Sequence, residues 1–90
     1  MPEASAELQQ ARAWYEDVRP ELGERFALTV EATVEAIAES PLRFPVVHRG
    51  RRRAGIRRFP YGMFFEAQQN RVVVIACFHS KRDPRRWQAR

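Results

Sequence analysis

Six arginines lie within ten positions in the second half of the chain. They are Arg49, Arg51, Arg52, Arg53, Arg57 and Arg58. A guanidinium group is always charged and binds phosphate or carboxylate through paired hydrogen bonds. On an extended strand alternate side chains share a face, so Arg51, Arg53 and Arg57 would point one way. Arg52 and Arg58 would point the other way. The run therefore predicts a cationic ridge that binds a polyanion or an acidic protein segment.

The charge of the chain is divided unevenly along its length. Residues 1–45 hold four basic and nine acidic side chains, whereas residues 46–90 hold twelve basic and two acidic ones. The net charge of +5 thus combines an acidic first half with a strongly basic second half, which indicates a negatively charged partner. Glu31, Glu35 and Glu39 make the second predicted helix unsuited to a DNA groove, and the basic half has no helix-turn-helix pattern.

Residues that could bind a metal or act as nucleophiles are few and poorly spaced. His48, Cys77 and His79 are the only soft ligands, so we expect no metal or other cofactor, and we interpret Cys77 as a buried structural thiol. Ser80 adjoins His79, but neighbours on a strand point to opposite faces, so the two do not form a nucleophile–base pair. Asp83 is better explained as a helix cap than as a partner that orients His79.

The length of the chain predicts one domain, spanning residues 1–90. No apolar run reaches the ~18 residues that a membrane-spanning helix needs. The first residues lack the basic and apolar regions of a signal peptide. Because Cys77 is the only cysteine, the chain cannot form an internal disulfide. We therefore expect a single-domain protein of the cytoplasm.

Two amphipathic helices are predicted in the first half, over residues 3–18 and 21–39. The apolar stripe of the first consists of Leu8, Ala11, Tyr15 and Val18. That of the second consists of Leu22, Phe26, Val30, Val34 and Ile37. Pro20 ends the first helix and begins the second, and Ser40-Pro41 ends the second. The short joint predicts an antiparallel hairpin, with Trp14 and Tyr15 anchoring it on a sheet.

Three strands are predicted in the second half, over residues 53–59, 61–68 and 72–79. Residues 42–45 are interpreted as a connection, and Gln69-Asn70 as a tight turn. The last strand is apolar on both faces, which favours a central position in the sheet. Asp83-Pro84 is typical of the start of a short helix that runs through Trp87. The predicted class is α+β: a helical hairpin packed on a three-stranded antiparallel sheet, with a short C-terminal helix.

Several stretches, taken in order, resemble the RelE/ParE toxins of bacterial type II toxin–antitoxin systems, and the ParE-like branch more closely. They are Ala11–Glu16 (ARAWYE), Leu22–Phe26 (LGERF), Ser40–Pro45 (SPLRFP), Arg57–Tyr61 (RRFPY) and His79–Trp87 (HSKRDPRRW). The resemblance covers nearly the whole chain. Family members usually have a short strand before the first helix, ending near the equivalent of Pro2-Glu3-Ala4. We expect that strand to be absent here, which would leave backbone groups of its neighbour unpaired.

The resemblance to ParE-like toxins implies a protein that acts by binding. Such toxins poison DNA gyrase by trapping its cleaved complex with DNA, and a cognate antitoxin with an acidic, amphipathic segment neutralises them. No catalytic residue is then expected. The predicted partner-binding residues are Arg49, Arg51, Arg52, Arg53, Arg57, Arg58, Tyr61, Arg82, Arg85, Arg86 and Trp87. Phe64 and Phe65 are expected either beside Tyr61 on that surface or in the core.

The RelE-like branch implies a different activity, the cleavage of mRNA on the ribosome. That reaction needs a proton acceptor, cations that stabilise the charged phosphorane, and an acid for the leaving oxygen. The residues that would serve are His79, Lys81, Arg82 and Arg58. Two differences count against this alternative. Gly62 stands where the nucleases have arginine, and Trp87 cannot donate a proton as their terminal tyrosine can. A degenerate protein that only binds an antitoxin is the third hypothesis.

Overall fold

A computed structural model describes residues 2–90 and places two helices first. Helix α1 spans Pro2–Val18 and helix α2 spans Pro20–Glu39. Arg19 is extended between them, and Pro20 occupies the first helical position, as predicted. The two helices approach each other closely at Gly23, because an added Cβ there would lie 3.2 Å from the Arg12 carbonyl oxygen of α1. Both predicted helices are therefore confirmed, with bounds that differ by about one residue.

A four-stranded antiparallel sheet follows, one strand more than predicted. A 3₁₀ turn at Pro41–Arg43 leads into β1 (Val46–His48), β2 (Arg51–Gly55), β3 (Tyr61–Ala67) and β4 (Val72–His79). The spatial order is β1-β2-β3-β4. A short helix, α3, spans Arg85–Gln88. The α+β class is confirmed, and the additional strand β1 is the main difference from the predicted architecture.

The arginine run does not form one strand, so the predicted strand over 53–59 is wrong in its bounds. β1 and β2 form a hairpin whose two turn residues, Arg49 and Gly50, have φ values of 47° and 78°. Positive φ at both positions gives the turn a twist that matches the flanking strands. β2 ends at Gly55, and Arg57 and Arg58 belong to a loop in which Arg58 has φ of 70°. The predicted sharing of one strand face by Arg51, Arg53 and Arg57 therefore fails for Arg57.

The core lies between the helical hairpin and one face of the sheet. Tyr15 and Phe26 pack there with Met63 and Cys77, and a second cluster joins Ile37 to Phe65. Two residues of the predicted stripes, Val18 and Val34, are exposed and do not reach this core. Trp14, predicted to anchor the hairpin on the sheet, is 60% exposed, so that prediction is wrong for Trp14. Val34 stays open because it lines a groove between α2 and the β3–β4 turn.

β4 lies at an edge of the sheet, which corrects its predicted central position. Its two apolar faces are explained by cover on both sides, since α1 packs on one face and α3 on the other. Along the free edge, the Cys77 backbone N–H donates to Glu7 Oε1 at 3.0 Å. The Ile75 carbonyl accepts from Arg90 Nη1 at 3.2 Å. Side chains thus satisfy edge groups that another strand would otherwise pair.

Candidate partner-binding surface

The sheet face turned away from the helical hairpin, called the outer face here, has an aromatic centre. Phe64 of β3 and Phe78 of β4 lie on it, in a buried cluster with Trp87 of α3. The Trp87 ring stacks on Phe64 with centroids 4.0 Å apart, and the His48 ring meets Trp87 edge-on at 5.7 Å. Trp87 is only 5% exposed. Trp87 is therefore a buried part of this cluster and not an exposed contact residue. Phe64 and Phe65 are buried as well, so they do not form an exposed aromatic patch.

The Arg53 side chain lies across the outer face and is held there by contacts with three residues of the sheet and its loops. It pairs with Phe64 across the β2–β3 ladder, and its guanidinium carbon lies 6.0 Å from the Phe64 ring centroid. Its Nη2 donates to Ser80 Oγ at 3.4 Å. The side chain passes directly over Gly62, where an added Cβ would lie 2.5 Å from Arg53 Nε. The absence of a side chain at Gly62 is therefore what lets the Arg53 guanidinium lie across the sheet.

Arg51 and Arg52, its neighbours in the run, point to different faces. Arg51 Nε lies 3.8 Å from Glu66 Oε1 on the outer face. Arg52 projects from the other face, and its Nη1 donates to the carbonyls of Leu42 and Phe44 at 3.2 and 2.6 Å. These hydrogen bonds hold the 3₁₀ turn against β2, so we interpret Arg52 as a structural residue. The predicted alternation of Arg51, Arg52 and Arg53 is correct on this strand.

The C-terminal segment adds more cations around Phe78. The guanidinium carbons of Arg82, Arg86 and Arg90 lie 5.6, 6.0 and 5.0 Å from its ring centroid. A cation over an aromatic ring is attracted by the negative face of the ring. Arg90 also pairs with Glu7 at 2.7 Å, and Arg85 with Asp83 at 2.7 Å. Within residues 2–90, Arg82 and Arg86 form no direct ion pair with a carboxylate, although the Arg86 charge acts on nearby Asp83.

The two ion pairs at the C-terminus shift the pKa values of one group in each pair, Arg90 and Asp83. Arg90 donates hydrogen bonds to the Glu7 carboxylate, and these raise the pKa of its guanidinium. The side-chain hydrogen bond from Arg85 lowers the pKa of the Asp83 carboxyl, which also accepts the Arg85 backbone N–H at 3.0 Å. Asp83 thus accepts the first backbone N–H of α3, but Pro84 occupies the N-cap position, so the helix begins one residue later than predicted.

The residues proposed for RNA cleavage do not all come together. His79 and Arg82 line a cleft of about 200 Å³ with Trp14 and Tyr61, between α1 and the ends of β3 and β4. The His79 ring meets Tyr61 edge-on at 5.2 Å, and its Nδ1 accepts the Lys81 backbone N–H at 3.1 Å. Arg58 lines a different cleft, beside Arg25 and Thr29 of α2. The structure thus brings His79 and Arg82 together, whereas Lys81 contacts His79 through its backbone and Arg58 lies in the other cleft.

Burial raises the pKa of two groups of this region, a thiol and a phenol, so both stay protonated well above neutral pH. It raises the pKa of the Cys77 thiol to about 12, with a further rise from the nearby Glu7 carboxylate. Burial also raises the pKa of Tyr61, so its phenol remains a hydrogen-bond donor. A neutral, buried thiol is a poor nucleophile and a poor metal ligand. Residues 2–90 contain no cluster of three or more His, Cys, Asp or Glu side chains arranged to hold a metal ion.

Glu7 and Arg90 are structural partners that sequence reasoning missed. They are 83 positions apart, so no local pattern joins them. A partial signal exists, because Glu7 falls on the same helical face as the buried Ala4 and Ala11. A carboxylate on a buried stripe needs a partner, and Arg90 supplies it.

The structure is thus a small α+β protein in which a helical hairpin packs on an antiparallel sheet and arginines surround aromatic rings on the outer face. The family model described as "ParE toxin of type II toxin-antitoxin system, parDE" matches residues 1–84. The chain therefore belongs to the ParE toxin family of type II toxin–antitoxin systems, in which the partner of the toxin is an antitoxin. No curated protein matches the chain. No helix within residues 2–90 is long and apolar enough to cross a membrane.

Proposed function

We propose that this protein acts in the cytoplasm as a toxin that binds DNA gyrase, traps its cleaved complex with DNA, and is held inactive by an acidic antitoxin. The observation that carries the proposal is the outer face, where Arg53 is held over Gly62 and where Arg82 and Arg86 lie around Phe78 and form no direct ion pair within residues 2–90. Oriented guanidinium groups over a rigid aromatic base suit recognition of phosphate or carboxylate. Family membership supports the same kind of action.

The test is a gyrase cleavage assay with purified protein and supercoiled plasmid. The wild-type protein should increase the linear DNA released by detergent and protease. Arg53→Glu should reduce this effect about tenfold or more, because it places a carboxylate where an anion binds. Arg71→Glu is the matched control, since it makes the same charge change in the β3–β4 turn, away from the outer-face arginines, where the Arg71 side chain donates to Gln68. It should retain most of the effect.

One observation favours a second candidate, the ribosome-dependent mRNA endonuclease. His79 and Arg82 share a cleft with the protonated phenol of Tyr61, which brings together a base, a cation and an acid. A translation extract programmed with a defined mRNA distinguishes the two. Cleavage of that mRNA, lost in His79→Ala, without any effect on gyrase would replace the gyrase proposal. Inactivity in both assays would support a protein that only binds its antitoxin.

A further inference from the structure

A cationic cleft of about 300 Å³ lies between α2 and the loop that joins β2 to β3. It is lined by Arg25, Thr29, Arg57, Arg58 and Phe59, and by none of the arginines of the outer face. The three arginine side chains are exposed, and within residues 2–90 none of them forms an ion pair or a side-chain hydrogen bond. No acidic residue lines the cleft, so three positive charges share it without a counterion from the protein.

Packing of α2 on this loop is what brings the arginines together. The Phe26 and Phe59 rings meet edge-on with centroids 5.1 Å apart, in the core cluster beneath the cleft. Arg25 precedes Phe26 on α2, and Arg58 precedes Phe59 in the loop. The contact between the two buried rings therefore fixes the two walls from which the guanidinium groups enter one cleft.

Arg58 has a backbone conformation that arginine rarely adopts. The Phe59 N–H donates to the Ile56 carbonyl at 3.0 Å, which closes a four-residue turn with Arg57 and Arg58 at its centre. At Arg58 φ is 70°, a value for which glycine or asparagine is the usual residue of a turn. Strained residues of this kind are concentrated at functional sites. The turn thus keeps a guanidinium at the cleft where glycine would fit with less strain.

We propose that this cleft binds a backbone phosphate of duplex DNA. The inference rests on the proposed function, which brings the protein to the DNA held by gyrase. A phosphate presents oxygens in several directions and can accept hydrogen bonds from three guanidinium groups, whereas a carboxylate has two oxygens in one plane. The arginines are solvent-exposed. They suit a polymer backbone that passes over the surface, because a small-molecule site buries most of its ligand.

A pair of threonine variants tests the cleft without gyrase. The probe is a fluorescein-labelled DNA duplex of about 20 base pairs, and anisotropy measures its binding. Thr29→Glu places a carboxylate among the three arginines and should weaken duplex binding about tenfold. Thr33→Glu is the matched control and should bind nearly as wild type does. Both threonines are half-buried and both hydroxyls donate to the carbonyl four residues earlier at 2.8 Å, but only Thr29 lines the cleft. Equal weakening by the two variants would overturn the proposal.

A pair of arginine variants tests the phosphate contact itself. Arg25→Gln should weaken duplex binding about fivefold and reduce the slope of log Kd against log salt concentration by about one, because one phosphate contact is lost. Arg19→Gln removes the same charge from an exposed arginine that does not line the cleft, and it should keep the wild-type slope. An unchanged slope in Arg25→Gln would contradict a phosphate contact.

Arg58→Gly separates binding from stability. Glycine adopts a φ of 70° with little strain, so the urea concentration at half-unfolding should rise. Duplex binding should fall about fivefold, because the guanidinium is lost. A variant that is more stable than wild type and binds the duplex as tightly would show that Arg58 is not a ligand of the phosphate.

Two further measurements distinguish the source of the phosphate and the two proposals. Inorganic phosphate, added at constant ionic strength, should displace the duplex only at millimolar or higher concentration. Displacement at micromolar concentration would assign the cleft to a free phosphate compound and overturn the assignment to DNA. A wild-type protein whose duplex binding is lost in Thr29→Glu, but which leaves gyrase unaffected, would remove the proposed target alone. A protein that traps gyrase, and whose duplex binding is unchanged in Thr29→Glu, would remove the cleft alone.

Discussion

The residue that most clearly shapes the outer face is Gly62, which has no side chain to contribute. Because the Arg53 guanidinium occupies the space above it, the position of the arginine side chain depends on the glycine. Sequence comparison alone treated Gly62 as a lost arginine. In the structure, the missing side chain of Gly62 leaves the space that the Arg53 guanidinium occupies.

Replacing Gly62 by alanine should therefore reproduce the effect of removing the Arg53 side chain. Gly62→Ala should displace Arg53 and reduce the gyrase effect about as much as Arg53→Ala. The double variant should be no worse than either single one, because both remove the same interaction. Gly55→Ala is the control, since its Cβ would meet Arg53 Nη1 at an ordinary 3.4 Å. Additive losses in the double variant would show that Gly62 acts through something other than Arg53.

Cys77 predicts a loss of stability in alkaline solution. Its pKa is about 12 in the folded protein and about 9 when unfolded. Above pH 9 the unfolded chain loses the thiol proton and the folded one keeps it, so the free energy of unfolding falls as the pH rises. Between pH 9 and 10 the loss should be about 1 kcal/mol. Urea unfolding at pH 8, 9 and 10 should show this decline in the wild type and a shallower one in Cys77→Ala. Parallel declines would contradict the assignment.

At the scale of elements, the free edge of β4 depends on the two ends of the chain. Glu7 of α1 and Arg90 after α3 pair with each other, and each also bonds a backbone group of β4. Both side chains are mostly buried, at 14% and 21% exposure. This arrangement joins α1, β4 and α3, and it should hold the aromatic cluster of the outer face in place.

Glu7→Ala should destabilise the fold by about 1–3 kcal/mol, because it leaves the Cys77 N–H and the Arg90 guanidinium without their acceptor. Glu16→Ala is the control, since it removes an exposed pair with Arg12 within one helix, worth about 0.3–0.5 kcal/mol. Urea unfolding at pH 7 measures both. A double-mutant cycle of Glu7→Ala and Arg90→Ala should show clear coupling. A loss for Glu7→Ala as small as that for Glu16→Ala would mean that the pair contributes little.

Elements with a strong local pattern could be predicted, and those set by backbone conformation or distant contacts could not. The apolar spacing and Pro20 were enough for α1 and α2. The β1–β2 hairpin was missed because Arg49 adopts positive φ, a conformation that arginine rarely signals. β4 was misplaced because cover by α3 on an edge strand has the same apolar pattern as a central strand. On the candidate surface, the alternation of Arg51 and Arg53 followed from strand geometry, whereas the role of Gly62 required coordinates.

At the scale of the whole molecule, the acidic and basic halves of the sequence form two separate layers, the helical hairpin and the sheet. The helical hairpin carries the acidic residues of the first half, and the sheet, its loops and the C-terminal segment carry the arginines. The protein is therefore polarised, and its approach to a polyanion should depend on which side a charge occupies as well as on the total.

Two single charge reversals of equal size should thus behave differently on a heparin column. Arg86→Glu, on the outer face beside Phe78, should elute at a clearly lower salt concentration than wild type. Arg19→Glu, between the two helices, should elute close to wild type. Both side chains are exposed, and neither forms a direct ion pair with a carboxylate within residues 2–90. Equal shifts for the two variants would mean that only net charge matters.

The carboxylate and guanidinium at the edge of β4 also bear on how the protein survives at high concentration. An uncovered strand of valine, isoleucine and phenylalanine is a template on which copies of a chain polymerise into fibres. Glu7 and Arg90 lie across that template and bond the Cys77 N–H and the Ile75 carbonyl. We therefore expect this ion pair to hinder the pairing of β4 with a second copy of the chain.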